Sequence, residues 1–105
     1  MNPGKFNKVI TIEKLDVETE RWSDLLTLRA RVNKAKGSEY FSSGAEQSSA
    51  DLVFDIRYYP VLEDIYLNTQ SYRIIFNGNR YNILDYDDYM LQHKSIRLSA
   101  VGKRW

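Results

Sequence analysis

From Leu26 to Asn33 the chain alternates without exception: Leu26, Leu28, Ala30 and Val32 are apolar, and Thr27, Arg29, Arg31 and Asn33 are polar. A period of two sends successive side chains to opposite faces, so the segment from Trp22 to Lys34 predicts a strand with one wet face. Leu52, Phe54, Ile56 and Tyr58 repeat the pattern against Asp51, Asp55 and Arg57, with Val53 the one breach. Ile96, Leu98 and Ala100 alternate with Ser95, Arg97 and Ser99 further on. Ile10 and Ile12, opposed to Thr11 and Glu13, predict a shorter first strand. Buried parallel strands read as continuous apolar runs, so these are strands of an antiparallel sheet.

Tyr72 to Leu84 reads as a hairpin, with Tyr72, Ile74 and Phe76 on one face and Tyr81 and Ile83 on one face of the return strand. A two-residue turn at Asn77-Gly78 sets Ile74 against Tyr81. A turn at Gly78-Asn79 sets Phe76 against Tyr81 instead. Both keep the apolar set together, because any even loop length does. Asn-Gly favours the first, since it tolerates positive φ at both central positions.

Two segments fall outside the strands. Lys36 to Ala50 is rich in Ser and Gly, and its fifteen residues make a long connection for a compact domain. Pro60 to Ser71 is the other connector, and its Leu62-Glu63-Asp64 stretch predicts a single helical turn. The expected fold is all-β. It is a small antiparallel barrel or sandwich of about six strands, with one long loop between strands 2 and 3. Leu28, Ala30, Val32, Phe54, Ile56, Ile74, Ile83 and Leu98 should face inward together.

At 105 residues the chain has room for one domain, spanning 1–105. Fifteen Lys and Arg against fourteen Asp and Glu leave a formal charge of +1, which argues against a protein that mainly coats nucleic acid or an anionic membrane. With no cysteine, disulfides, thiolate metal sites and cysteine nucleophiles are excluded. The single histidine, His93, leaves little material for a His-rich metal site or a Ser-His-Asp triad. No apolar run approaches a membrane span, and Met1 to Lys14 shows no export signal.

Catalysis has no candidate residues in this pattern. Asp85, Asp87 and Asp88 lie close together but lack EF-hand spacing, and they read as a solvated strand end. Ser42, Ser43, Ser48 and Ser49 have no nucleophile elbow and no nearby base, and His93 reads as an exposed turn residue. No cofactor is expected. The aromatics are more informative. Tyr58, Tyr59, Tyr66, Tyr72, Tyr81, Tyr86 and Tyr89 with Arg57, Arg73 and Arg80 could stack bases, as oligonucleotide-binding barrels do. Periodicity places Tyr58, Tyr72 and Tyr81 in the core instead, and leaves the others for protein contacts, Tyr59 and Tyr66 among them.

Several short motifs follow one another in order. Phe6-x-x-Val9-Ile10-Thr11-Ile12 comes after Gly4-Lys5, then Trp22, then Ala30-Arg31-Val32, then Gly37-x-Glu39-Tyr40-Phe41. Ile56-Arg57-Tyr58, the Gly78 hairpin with Tyr81-x-Ile83, and Ile96-Arg97-Leu98 complete the series. In this the chain resembles the head–tail joining (head-closure, or stopper) proteins of long-tailed bacteriophages. Arg29 stands where such proteins tend to carry an aromatic, so the contact made there differs here.

The resemblance implies a non-enzymatic virion protein assembled in the host cytoplasm. It would form a ring with its own copies, touch the portal or adaptor ring and the tail proteins, and close the DNA exit channel. It also implies that the long loop, with Gly37, Glu39, Tyr40, Phe41 and Gly44, points to the channel and to neighbouring subunits. There it would meet packaged DNA without sequence specificity.

Overall fold

The computed structural model describes residues 6–34 and 50–102. Six strands form in the order β1 (Lys8–Asp16), β2 (Arg21–Lys34), β3 (Leu52–Arg57), β4 (Tyr72–Phe76), β5 (Asn79–Asp88) and β6 (Ser95–Gly102). All pairings are antiparallel, and the sheet closes as β1-β2-β3-β6-β5-β4 with β4 returning to β1. Among the described residues every strand is paired on both sides over part of its length, which leaves little sheet edge to recruit another chain. The barrel is the all-β fold that the alternation predicts. Residues 35–49 of the connection between β2 and β3, which carry Gly37, Glu39, Tyr40, Phe41 and Gly44, lie outside the described residues.

The inward phase of each strand fills the core. Ile10, Ile12, Leu28, Ala30, Phe54, Ile56, Tyr72, Ile74, Ile83, Ile96 and Leu98 are buried together. Val32, Tyr58, Tyr59, Phe76 and Tyr81 pack against them from partly exposed positions. Phe54 meets Phe76 and Tyr81 edge to face, at ring separations of 5.8 and 5.7 Å. The hairpin takes the Asn77-Gly78 register, with Ile74 opposite Tyr81. Both turn residues are left-handed, at φ 53° and 79°, which is what a type I′ turn asks of them.

Leu62-Glu63-Asp64 does form a helical turn, inside a longer 3₁₀ segment, Pro60–Tyr66. Proline opens it, where its missing N–H costs no helical bond. Leu62 and Ile65 are fully buried, so the segment joins the barrel core. Asp64 ties it down by accepting from the Tyr72 hydroxyl at 2.7 Å and from Asn68 Nδ2 at 2.9 Å. A second short 3₁₀ turn, Thr69–Ser71, leads into β4.

Two bulges depart from the simple alternation. In β2 the register shifts so that Ile12 faces Leu26 while Glu13 faces Asp24, leaving Leu25 as the extra residue. In β5, Ile83 faces Ala100 and Asp85 faces Ser99, leaving Leu84 unpaired. An extra residue inverts the facing of all that follows. Tyr86 and Asp88 therefore fall on the inward phase, opposite Leu98 and Ile96. This corrects two expectations. Tyr86 is buried rather than available at the surface, and Asp88 is no solvated strand end, its side chain being 5% exposed. Val53, the breach in β3, stays on the outward phase between Asn33 and Ser99 and is nevertheless buried.

Ile56 and Ile74 carry the strongest test of this phasing, both being fully buried. Ile56→Ala or Ile74→Ala should cost about 2–5 kcal/mol in urea unfolding. A loss below about 0.5 kcal/mol, typical of surface changes, would contradict it.

Candidate docking surface

The outward face carries two kinds of chemistry. The first is a ladder of charges in register across four strands: Arg31 on β2, Asp55 on β3, Arg97 on β6 and Asp87 on β5. Asp55 accepts from Arg31 Nη2 at 2.6 Å and from Arg97 Nε at 2.8 Å. Burial pushes the Asp55 carboxyl up, but Arg97 and then Arg31 overcome it and hold it below the ordinary aspartate range. A similar pairing staples β1 to β4, where Arg73 Nε donates to Glu13 at 2.6 Å and its guanidinium lies 4.2 Å from the Trp22 ring centre. Asp55 with its two arginines and Glu13 with Arg73 satisfy one another, so these pairs belong to the scaffold.

The second is a groove of about 510 Å³ where β5 turns into β6. Glu63, Tyr66 and Leu67 form one wall; Tyr86, Asp87, Asp88, Leu91 and His93 form the other. The β5–β6 turn is built in an unusual way. Met90, Leu91 and His93 all have left-handed backbones, at φ 50°, 54° and 58°. None is glycine, and each such residue costs about 1–2 kcal/mol. Strain of this kind is held by surrounding structure and gathers at functional sites. Here Asp88 holds the turn, accepting from the His93 backbone N–H at 2.9 Å and binding His93 Nδ1. The imidazole stacks on Tyr58 at 4.5 Å, and the Tyr58 hydroxyl donates to Glu63.

The turn and the end of the 3₁₀ segment expose several large apolar side chains side by side. Leu91 and Leu67 are each 78% exposed, and Met90 is 70% exposed. Tyr66, 68% exposed, meets Tyr86 edge to face at 6.2 Å. Tyr86 is 93% buried, yet its hydroxyl has no hydrogen-bond partner among the described residues. Burial first, then Asp88 and Glu63, push that hydroxyl up to about 12. Tyr58 is likewise pushed up to about 12, chiefly by its bond to Glu63, which makes it a poor nucleophile at neutral pH.

The expected contact residues separate. Tyr66 belongs to the groove, Tyr59 is half-buried against the core, and Arg29 is exposed on the far side, opposite Val9. Leu67, Tyr86, Leu91 and the Asp88–His93 pair escape the alternation argument. Their available signal is Met90-Leu91, an apolar pair that breaks a polar stretch.

Fold and surface together define a small closed β-barrel that offers a shallow, acidic-rimmed contact groove. The chain belongs to the phage head completion protein family, whose model matches residues 1–101. It is also similar to the solution structure of protein SF1141 from Shigella flexneri 2a. That match has a TM-score of 0.70 and 29% identity, covering 97% of this chain and 96% of that one. A search of the curated proteins finds no match. Family membership gives the chain a structural role tied to the phage head, as a component of the virion.

Two expected outcomes follow from the site's construction. The Asp55 carboxyl titrates lower folded than unfolded, so the unfolded state takes up a proton first as pH falls. Its contribution is complete above about pH 5 and is lost as pH drops through the folded value. Asp55→Asn should thus cost about 1–3 kcal/mol at pH 7, and the gap to the parent should narrow below about pH 4. A gap independent of pH would show that the two arginines are not what Asp55 stabilises. Leu91→Gly, by contrast, removes left-handed strain and should leave stability unchanged or raise it by up to about 1 kcal/mol. Thermal unfolding decides this, and a clear loss would mean that Leu91 holds the turn by packing.

Proposed function

We propose that this chain is a non-enzymatic subunit of the ring that joins the capsid portal and adaptor to the tail and closes the DNA exit channel. Family membership supports the setting. The observation that carries the contact role is the strained β5–β6 turn, which exposes Met90 and Leu91 beside a groove on an otherwise finished barrel. Exposed apolar groups held at a cost in backbone energy suit docking surfaces.

Oligonucleotide binding, the rival reading, fits this surface poorly. Tyr66, the exposed ring of the groove, stands among Glu63, Asp87 and Asp88, which repel phosphate. Arg73, one of the arginines interleaved with the tyrosines, is committed to Glu13 and Trp22, and Arg57 lies over the Phe6 ring at 5.4 Å. We assign the connection that carries Gly37, Glu39, Tyr40, Phe41 and Gly44 to the channel and inter-subunit side. Its Lys36, Glu39 and Glu46 leave it slightly acidic, so any hold on packaged DNA is steric.

The test uses DNA-filled capsids that carry portal and adaptor but lack this chain. Adding the purified chain should retain DNA and permit tail attachment, with little dependence on salt. Failure to bind such capsids, together with salt-sensitive binding to single-stranded DNA, would favour the rival.

A further inference from the structure

We infer that the groove at the β5–β6 turn receives the Lys103-Arg104-Trp105 segment of a second copy of this chain. The inference rests on the ring reading and names the surfaces that would meet. The groove asks for a particular chemistry. Asp88 is buried against His93, but Glu63 and Asp87 stay exposed at the groove, so it favours a cationic guest. Its apolar walls, Tyr66, Leu67 and Leu91, favour an aromatic or aliphatic anchor. The Tyr86 hydroxyl supplies an independent sign of a missing guest. Tyr86 lines the groove, and its buried hydroxyl has no partner among the described residues, although buried tyrosine hydroxyls are normally hydrogen-bonded.

Three stretches of the chain lie outside the described residues. Residues 1–5 carry one cation and no aromatic ring. Residues 35–49 carry Tyr40 and Phe41, but Glu39 and Glu46 outweigh Lys36. Only 103–105 joins two cations to an aromatic, Lys103 and Arg104 with Trp105. Arginine and tryptophan are also the side chains most often found at the energetic centre of interfaces.

The last described residue before this segment lies at the end of β6 away from the groove. Gly102 pairs with Tyr81 at one end of β6, whereas Ile96 pairs with Asp88 at the groove end. Six residues of strand separate the two, roughly 20 Å at about 3.3 Å per residue. Three further residues reach at most about 10 Å. A donor end and an acceptor groove at opposite ends of one barrel give a head-to-tail contact, the kind that closes into rings when the rotation allows. Three residues make a weak contact alone, and a template that holds neighbouring copies side by side raises its effective concentration.

The experiment titrates a synthetic peptide of residues 101–105, Val-Gly-Lys-Arg-Trp, into the isotope-labelled full chain and follows amide shifts by NMR. Saturable shifts centred on Tyr66, Leu67, Asp87, Leu91 and His93 are expected. The peptide Val-Gly-Glu-Glu-Trp should produce none. Tyr86→Phe should keep its fold, because it removes only a hydroxyl that has no partner among the described residues, and should weaken peptide binding several-fold. Shifts confined to other surfaces, equal shifts with the acidic peptide, or unchanged binding by Tyr86→Phe would overturn the proposal. So would groove shifts that appear only on adding the adaptor, which would name the adaptor as the guest. The ring reading is separable. If the chain completes capsids and its Lys103→Glu/Arg104→Glu/Trp105→Ala variant does so equally well, the ring stands and this contact falls. If the peptide seats in the groove but the chain fails on capsids, the contact stands and the ring reading falls.

Discussion

Leu84 has no cross-strand partner, because Ile83 already faces Ala100 and Asp85 already faces Ser99. That single extra residue decides which way the end of β5 faces. Without it, Tyr86 and Asp88 would share the outward phase and the core would lose an aromatic. With it, Tyr86 packs inward opposite Leu98, and Asp88 reaches across the turn to hold His93. The same shift turns Asp87 to the outer face, opposite Arg97 in the charge ladder. A bulge beside a closing barrel re-aims side chains in this way while adding local twist. The groove is a consequence of that re-aiming.

The molecule divides its work between two parts of one surface. The core and the ladder through Arg31, Asp55 and Arg97 fix the barrel, with polar groups matched to one another and apolar groups removed from water. The β5–β6 turn does the opposite. It keeps Met90, Leu91 and His93 in left-handed backbone and exposes two large apolar side chains, and the Tyr86 hydroxyl beside it has no partner among the described residues. A chain selected only for stability would place glycine or asparagine at such positions. The cost of this turn is tolerable because the closed sheet around it does not depend on it.

Much of this was legible in the residues alone. The period of two placed the strands and the inward set, and Asn77-Gly78 chose the hairpin register, because both signals arise from local geometry. The 3₁₀ turn at Leu62-Glu63-Asp64 was also readable, though not that Leu62 and Ile65 enter the core. The family resemblance likewise stood on motifs spread along the chain. The groove was not legible. Leu84 is an ordinary strand residue, and no local chemistry announces that it will be skipped. That choice is made by the pairing of β5 with β6 and by the 3₁₀ segments packed beside β5. Nor does Met90-Leu91-Gln92-His93 contain the glycine or asparagine that usually marks left-handed backbone. Tertiary structure imposes that conformation, chiefly through Asp88, so the contact residues emerged only with the fold.

We propose that the chain meets its neighbours through the β5–β6 turn and the adjoining 3₁₀ segment, and not through the charged ladder. Amide hydrogen exchange, compared between the free chain and the same chain assembled on capsids, tests this most directly. The account predicts a large gain in protection across residues 63–67 and 90–93, with little change at Arg31, Asp55 and Arg97. Protection gained at the ladder, with the turn left unchanged, would contradict it.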